Sequence, residues 1–285
     1  MASLPAVPEL PEVESVRRQL VPVLTGRRVE DVWWDAAPHA RFHAVDDLVG
    51  RGIQRVDRRG KFLLCPLDGP LPRRELVLHL GMTGSLRWDP VPAPAHDPDA
   101  GLTHVRARLH LDDGSVLRFR DPRRFGRLSV VTAGDYAEVV PTLAVLGPEP
   151  LSPAFAVGPF AAALASTRAP VKARLLDQRL VAGVGNIYAD EALWRARIHP
   201  SSRSVGPARA ARLHTAIIEV LTAAVAREGT TFRDYEMVNG QSGRYATQLD
   251  VYGKQGQPCR RCGTVLHRIV VAQRGTTFCP RCQRV

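Results

Sequence analysis

The sequence predicts an α+β protein: an N-terminal antiparallel β-sandwich with a leading helix, then a helical domain, then a cysteine-rich ribbon. Three observations predict it. Between about residues 28 and 133, short apolar or alternating runs are separated by Gly, Pro and Asp, which is the pattern of strands. After "LGPEPLSP", 146–153, the apolar period becomes helical. The last thirty residues carry two CxxC pairs.

In chain order, "VPELPEVESVRRQL", 7–20, reads as a helix start. Pro11 suits a first turn, and Val13, Val16, Leu20 and Leu24 fall on one face. Glu12 and Glu14 lie near the positive end of the helix, where carboxylates are favoured. The strand candidates are "KFLLCPL", "ELVLHLG", "RARLHL" and "VLRFRD", and Cys65 reads as a core residue within the first of them. "DPVPAPAHDPDAG", 89–101, reads as a proline-rich, mobile loop. A domain boundary is expected near 135–152. Beyond it "FAAALAST" and "VKARLLDQ" are helix-like. Ala208–Arg227 carries Leu213, Ile217, Val220, Leu221 and Ala224 on one stripe, with Pro207 before it and Gly229 after it. "MVNGQSGRYATQ", 237–248, is a polar loop. No internal repeat is present.

Lys and Arg number 39 against 28 Asp and Glu over 285 residues, a formal charge of +11. Only Lys61, Lys172 and Lys254 are lysines. That excess favours a polyanionic partner, most simply nucleic acid; an uninvolved basic surface gives the same count. There is no run of about 18 apolar residues to span a membrane, and "MASLPAV" lacks the basic start of a secretory signal. A soluble cytoplasmic protein with no membrane contact is expected.

Cys259, Cys262, Cys279 and Cys282 stand as CxxC, sixteen residues, CxxC. Each pair can grip one metal, and the intervening length suits a hairpin that joins the pairs, which is the spacing of a tetrahedral structural Zn²⁺. A redox CxxC needs one motif beside a βαβ unit, and disulfides do not suit a cytoplasmic chain. Four thiolates leave no open position, so the metal is structural. Arg260, Arg261, Arg268, Arg274, Arg281 and Arg284 make the ribbon basic and suited to gripping phosphate.

In "LLDQRLVAGVGNIYADEALWRARIHP", 175–200, Gly183 and Gly185 lie between two helical stretches. A dinucleotide fingerprint needs a preceding strand and a third glycine at 188, which is Tyr188. Two readings remain: a helix–turn–helix whose amides and Asn186 hold a DNA phosphate, or a plain αα corner.

Together, "PELPEVE" (8–14), "RRGKFLL" (58–64), "HLGMTGSLR" (79–87), "DPRRFG" (121–126), "VAGVGNIYADE" (181–191) and the ribbon ending "AQRGTTFCPRCQ" resemble formamidopyrimidine-DNA glycosylases, across nearly the whole chain. The resemblance implies a catalytic β-sandwich domain at 8–135, a helix-two-turn-helix DNA-binding domain at 150–235 and a zinc finger at 250–285. It implies a monomeric base-excision-repair enzyme of the bacterial cytoplasm or nucleoid, acting on damaged double-stranded DNA. The implied activity removes 8-oxoguanine and formamidopyrimidines and then nicks the strand by β,δ-elimination. Pro8 matches the family's nucleophilic proline, Glu9 its general acid/base, and Lys61 the hairpin lysine of β-elimination. Arg274 matches the arginine assigned to the δ step, and an arginine side chain, which holds its proton firmly, suits phosphate gripping better than proton donation. Met82, Arg123 and Phe125 match the void-filling triad: a flexible apolar wedge, a planar donor fork for the orphaned cytosine, and a stacking ring. His104 and Asn186 match phosphate contacts, with Arg168 a further candidate. The loop at 237–248 occupies the lesion-capping position.

Pro8 is internal as written, so its nitrogen is a tertiary amide and cannot form an iminium. Initiation at position 7 through a valine codon, followed by trimming, is the expected resolution. Three rivals differ. A Nei-type enzyme for oxidised pyrimidines begins with glycine where Leu10 stands. A non-catalytic damage sensor would keep the blocked amine. A zinc-ribbon RNA-binding protein leaves "PELPEVE" unexplained.

Overall fold

The computed structural model describes residues 7–37, 41–90, 102–230 and 245–285. The proline-rich loop expected at 89–101 falls outside these residues from position 91 on, and so does most of the loop at 237–248; its last residues, Tyr245–Gln248, form a short 3₁₀ turn. The chain divides into two units, Met1–Ala144 with Thr230–Gly243, and Val145–Gly229 with Arg244–Val285.

The first unit opens with α1, Leu10–Leu24. Glu9 and Glu12 form a reciprocal capping box, in which Glu12 Oε2 accepts the Glu9 backbone N–H at 2.9 Å. Val13, Val16, Leu20 and Leu24 are all buried on one face, each contributing about 1.5–3 kcal/mol by leaving water.

Among the described residues nine strands follow: β1 Val29–Trp34, β2 Arg41–His43, β3 Asp57–Arg59, β4 Phe62–Pro66, β5 Arg74–His79, β6 Ser85–Asp89, β7 Val105–Leu111, β8 Val116–Arg120 and β9 Arg127–Thr132. They form two sheets, in the orders β1-β7-β8-β6 and β2-β9-β5-β4-β3. Leu109, Leu111, Leu117 and Phe119 from the first sheet, and Leu63, Leu76, Leu78, Leu128 and Val130 from the second, share one core with the apolar face of α1. That shared core makes the sheets a sandwich. β7 alternates buried and half-buried along its length, as a strand with one face in the core must. The pairing is antiparallel except at β2–β9, a three-residue parallel ladder that begins Arg41 opposite Arg127. Cys65 is fully buried in β4, and burial pushes its thiol pKa up.

A short helix, α2 Pro141–Ala144, ends the sequence of the first unit before the boundary. The second unit has α3 Val157–Ala165, α4 Val171–Leu176, α5 Asn186–Ala196 and α6 Pro207–Val225, then the hairpin β10 His267–Val271 with β11 Arg274–Phe278. α6 takes in Pro207, one residue ahead of the expected Ala208–Arg227 stretch, ends two residues short of Arg227, and buries the expected Leu213, Ile217, Val220, Leu221 and Ala224. Ala272 and Gln273 take positive φ of 50° and 58° between β10 and β11, the left-handed pair that closes a tight two-residue hairpin and puts Arg274 directly after its turn.

Candidate active site and nucleic-acid interface

Pro8 and Glu9 stand at the head of α1, and both are buried; Glu9 is 1% exposed. Two contacts fix this end of the helix. Glu12 Oε2 holds the Glu9 amide, while Glu12 Oε1 accepts the backbone N–H and hydroxyl of Thr230 at 2.7 and 2.9 Å. One buried carboxylate thus satisfies three donors, which is what permits it to be buried.

Lys61 follows Gly60 in the turn between β3 and β4; Gly60 has a φ of +57°, a left-handed conformation that costs a residue without a side chain little. Arg58 ties this turn to α1. Its Nε lies 3.1 Å from Glu14 Oε2, and its Nη1 donates to the Gly60 carbonyl at 3.0 Å. Burial pushes Glu14 up, but Arg17, Arg58 and Arg18 outweigh it and hold the carboxyl down to about 2. His79, on the neighbouring strand β5, is pushed down to about 3 by burial, with Lys61, Arg127 and Arg41 adding to the effect, and it stays neutral with Nδ1 accepting the Gly81 amide at 3.0 Å. So Pro8, Glu9 and Lys61 belong to one braced body, linked through Glu14 and Arg58; the sequence marked Glu14 only as a helix-start charge and did not single out Arg58.

Met82 sits half-buried in the β5–β6 turn, Gly81–Gly84. Arg123 and Phe125 are exposed in the β8–β9 turn, with the Arg123 guanidinium 4.8 Å from the centre of the Phe125 ring. His104 is exposed at the start of β7, with a φ of +66°. Asp121, 1% exposed, lies at the base of this region.

In the second unit Gly183, at a φ of +82°, precedes α5, and Gly185 caps that helix. Gln178 braces the turn: its Oε1 accepts the Gly183 amide and its Nε2 donates to the Val184 carbonyl, both at 2.8 Å. Tyr188, where a fingerprint glycine would stand, is a buried residue of α5. Asn186 Nδ2 donates to the Gly275 carbonyl at 3.2 Å, so Asn186 and Arg274 are brought together at the hairpin tip. Buried Lys172 holds the same tip: its Nζ lies 2.6 Å from Asp190 Oδ1 and 2.8 Å from Thr276 Oγ1, and Asp190 Oδ2 accepts the Thr277 amide at 3.0 Å. Arg274 is exposed. Arg168 is exposed on the segment between α3 and α4, and only its carbonyl has a described contact, with Arg203.

Cys259, Cys262, Cys279 and Cys282 place their four sulfurs within 4.8 Å of one another. A tetrahedral zinc with bonds of about 2.3 Å needs sulfurs about 3.8 Å apart, so the set fits one structural Zn²⁺ with no position left open. Trp194 of α5 donates its indole N–H to Cys259 Sγ at 3.4 Å, and Arg261 stacks 4.1 Å over the Trp194 ring. Both contacts join the metal knot to the helix that follows the glycine turn.

Comparison with known proteins agrees over the whole length. Residues 7–128 match the family model for the formamidopyrimidine-DNA glycosylase N-terminal domain, 146–236 that for its H2TH domain, and 256–285 that for the zinc finger found in FPG and IleRS. The chain is 50% identical over 281 residues to the formamidopyrimidine-DNA glycosylase of Thermus thermophilus, covering 97% of this chain and 98% of that one. It is 45% identical to the Deinococcus radiodurans enzyme of that name, covering 97% of both. Among solved structures, the MutM (Fpg) protein of T. thermophilus aligns with a TM-score of 0.86 at 48% identity, over 97% of this chain and 98% of that one. A Lactococcus lactis FPG mutant in complex with a Fapy-dG-containing DNA aligns with a TM-score of 0.85 at 34% identity, over 98% of this chain and 100% of that one. With all three of its segments matched in order and full-length relatives at this identity, the chain belongs to the formamidopyrimidine-DNA glycosylase family.

Proposed function

We propose that the protein is a bifunctional DNA glycosylase and abasic-site lyase that excises oxidised purines from duplex DNA. The observation that carries this reading is the identity of 50% over 281 residues to a relative named formamidopyrimidine-DNA glycosylase. A neighbouring structure holds Fapy-dG DNA and others hold abasic-site DNA or DNA with an oxidised pyrimidine, so the site class is damaged DNA. No described helix is long and apolar enough to cross a membrane. A monomer working in the cytoplasm or nucleoid, organised as 8–135, 150–235 and 250–285, completes the proposal.

Each residue's role follows from its chemistry. The Pro8 nitrogen, once a free secondary amine, attacks C1′ of the damaged nucleotide; the glycosidic bond breaks and the base leaves with the electron pair. Glu9 passes a proton to the sugar ring oxygen as the ring opens to the iminium. The iminium acidifies C2′, and loss of that proton expels the 3′ phosphate; Lys61 serves this step. A second elimination expels the 5′ phosphate, with Arg274 gripping the flanking phosphate, and hydrolysis returns Pro8. Met82, Arg123 and Phe125 fill the space that the everted base vacates. His104, Asn186 and Arg168 contact backbone phosphates. The structural zinc holds the ribbon in shape and takes no part in bond making.

The test compares protein that begins at Pro8 with protein that carries the preceding residues. The shortened form should be trapped by borohydride on duplex with 8-oxoguanine opposite cytosine, with the adduct on Pro8. The extended form should bind the same duplex and give little adduct, because an acylated proline nitrogen cannot become an iminium. Full-efficiency adducts on Lys61 or Ala2 in both forms would remove Pro8 from its role. An absence of trapping in both forms would remove the glycosylase and lyase reading.

A further inference from the structure

The first unit carries a buried acid to which the reaction assigns nothing. Asp121 Oδ1 accepts the Thr83 hydroxyl at 2.8 Å and the Arg123 amide at 3.3 Å, and Asp121 Oδ2 accepts the Gly126 amide at 2.6 Å. The Thr83 hydroxyl accepts the Arg123 amide as well, at 3.3 Å. The Asp121 backbone reaches further: its amide donates to the His104 carbonyl at 3.0 Å, and its carbonyl accepts Arg106 Nε at 3.0 Å. Thr83 neighbours Met82, and Asp121 opens the turn that holds Arg123 and Phe125. A single carboxylate therefore joins segments 38 residues apart in sequence.

Backbone contact makes the junction rigid. A Cβ on Gly81 would lie 2.5 Å from the Phe125 carbonyl carbon and 2.7 Å from its oxygen. One on Gly126 would lie 2.3 Å from Phe119 Cζ and 3.0 Å from Asp121 Oδ2. Neither turn can slide without losing the hydrogen bonds of a buried carboxyl group, which is costly because water cannot replace them.

We infer that Thr83 and Asp121 are positioning residues that hold the Met82 turn and the Arg123–Phe125 turn in one fixed register. The wedge, the donor fork and the stacking ring then enter the duplex as a unit. Thr83 is the separable link, since its hydroxyl is what spans the two turns. The inference rests on the proposed function, in which those three side chains replace the everted nucleotide.

The experiment uses the form that borohydride trapping identifies as active. Thr83→Val keeps the shape and removes the hydroxyl; Thr83→Ser keeps the hydroxyl. Thr83→Val should lower excision of 8-oxoguanine opposite cytosine by about ten- to a hundredfold, the scale of a small misplacement of binding groups. It should also narrow the preference for cytosine over adenine as the opposite base. Trapping on a pre-formed abasic site in single-stranded DNA, where no base is everted and none stands opposite, should stay within about twofold, because the groups at C1′ are untouched. Thr83→Ser should match the parent in all three assays. Unchanged excision and base preference in Thr83→Val would overturn the inference, as would equal losses on duplex and single strand, or a defect in Thr83→Ser. A parent that does not trap at all would instead count against the glycosylase reading.

Discussion

Glu12, Glu14 and Asp121 show how much one side chain can fix here. Each is an acid that the sequence presents as ordinary charge near a helix start or a turn. Glu14 anchors three arginines, and its link through Arg58 sets the turn that carries Lys61. Its carboxyl pKa lies at about 2 against an ordinary 4.5, because the arginines outweigh the effect of burial. An acid depressed in the folded state stabilises the fold fully above its unfolded pKa and loses that contribution as pH falls to the folded value. Glu14→Gln should therefore flatten the acid limb of stability between pH 4.5 and 2. Urea unfolding at a series of pH values measures this, and parallel limbs for parent and variant would refute it.

At the scale of elements, the helix stripes and the ribbon were legible because their signals are local. The α1 and α6 faces follow a 3.6-residue period, and the cysteine spacing is a short motif. The β2–β9 pairing was not, since three residues carry no period and parallel register comes from distant packing. The joints between elements were equally silent. Thr83 to Asp121 and Lys172 to Asp190 are meetings of residues far apart in sequence, and nothing local marks them. Lys172 is fully buried against Asp190, Thr276 and the Gly275 carbonyl, so it fastens the arginine-bearing hairpin to α4 and α5. Removing one partner of such a pair strands the other charge. Lys172→Met should cost about 3–5 kcal/mol of unfolding free energy, and Asp190→Asn added to it should recover part of the loss. Denaturant titration of the single and double variants decides it, and a single variant as stable as the parent would rule the account out.

For the whole molecule, the family and the zinc were readable from motif order and spacing, whereas the bracing of the site had to be seen. The net charge of +11 fits a polyanionic ligand, and in the proposed function Arg274 is one of the arginines that meet it. Arg274→Ala should weaken binding to damaged duplex and reduce the slope of log affinity against log salt by about 0.9, one phosphate contact. Fluorescence anisotropy across a salt series measures it, and an unchanged slope would deny Arg274 a phosphate. Glu12 adds a consequence of another kind. Its two Thr230 donors lie 218 residues along the chain, in a stretch that returns to the first unit after the second has begun. A single genetic crossover anywhere between codons 12 and 230 would join the helix of one parent to the threonine of another. The two ends of that contact stay matched only where no crossover falls between them, and recombination between diverged relatives can exchange neither unit cleanly with one breakpoint.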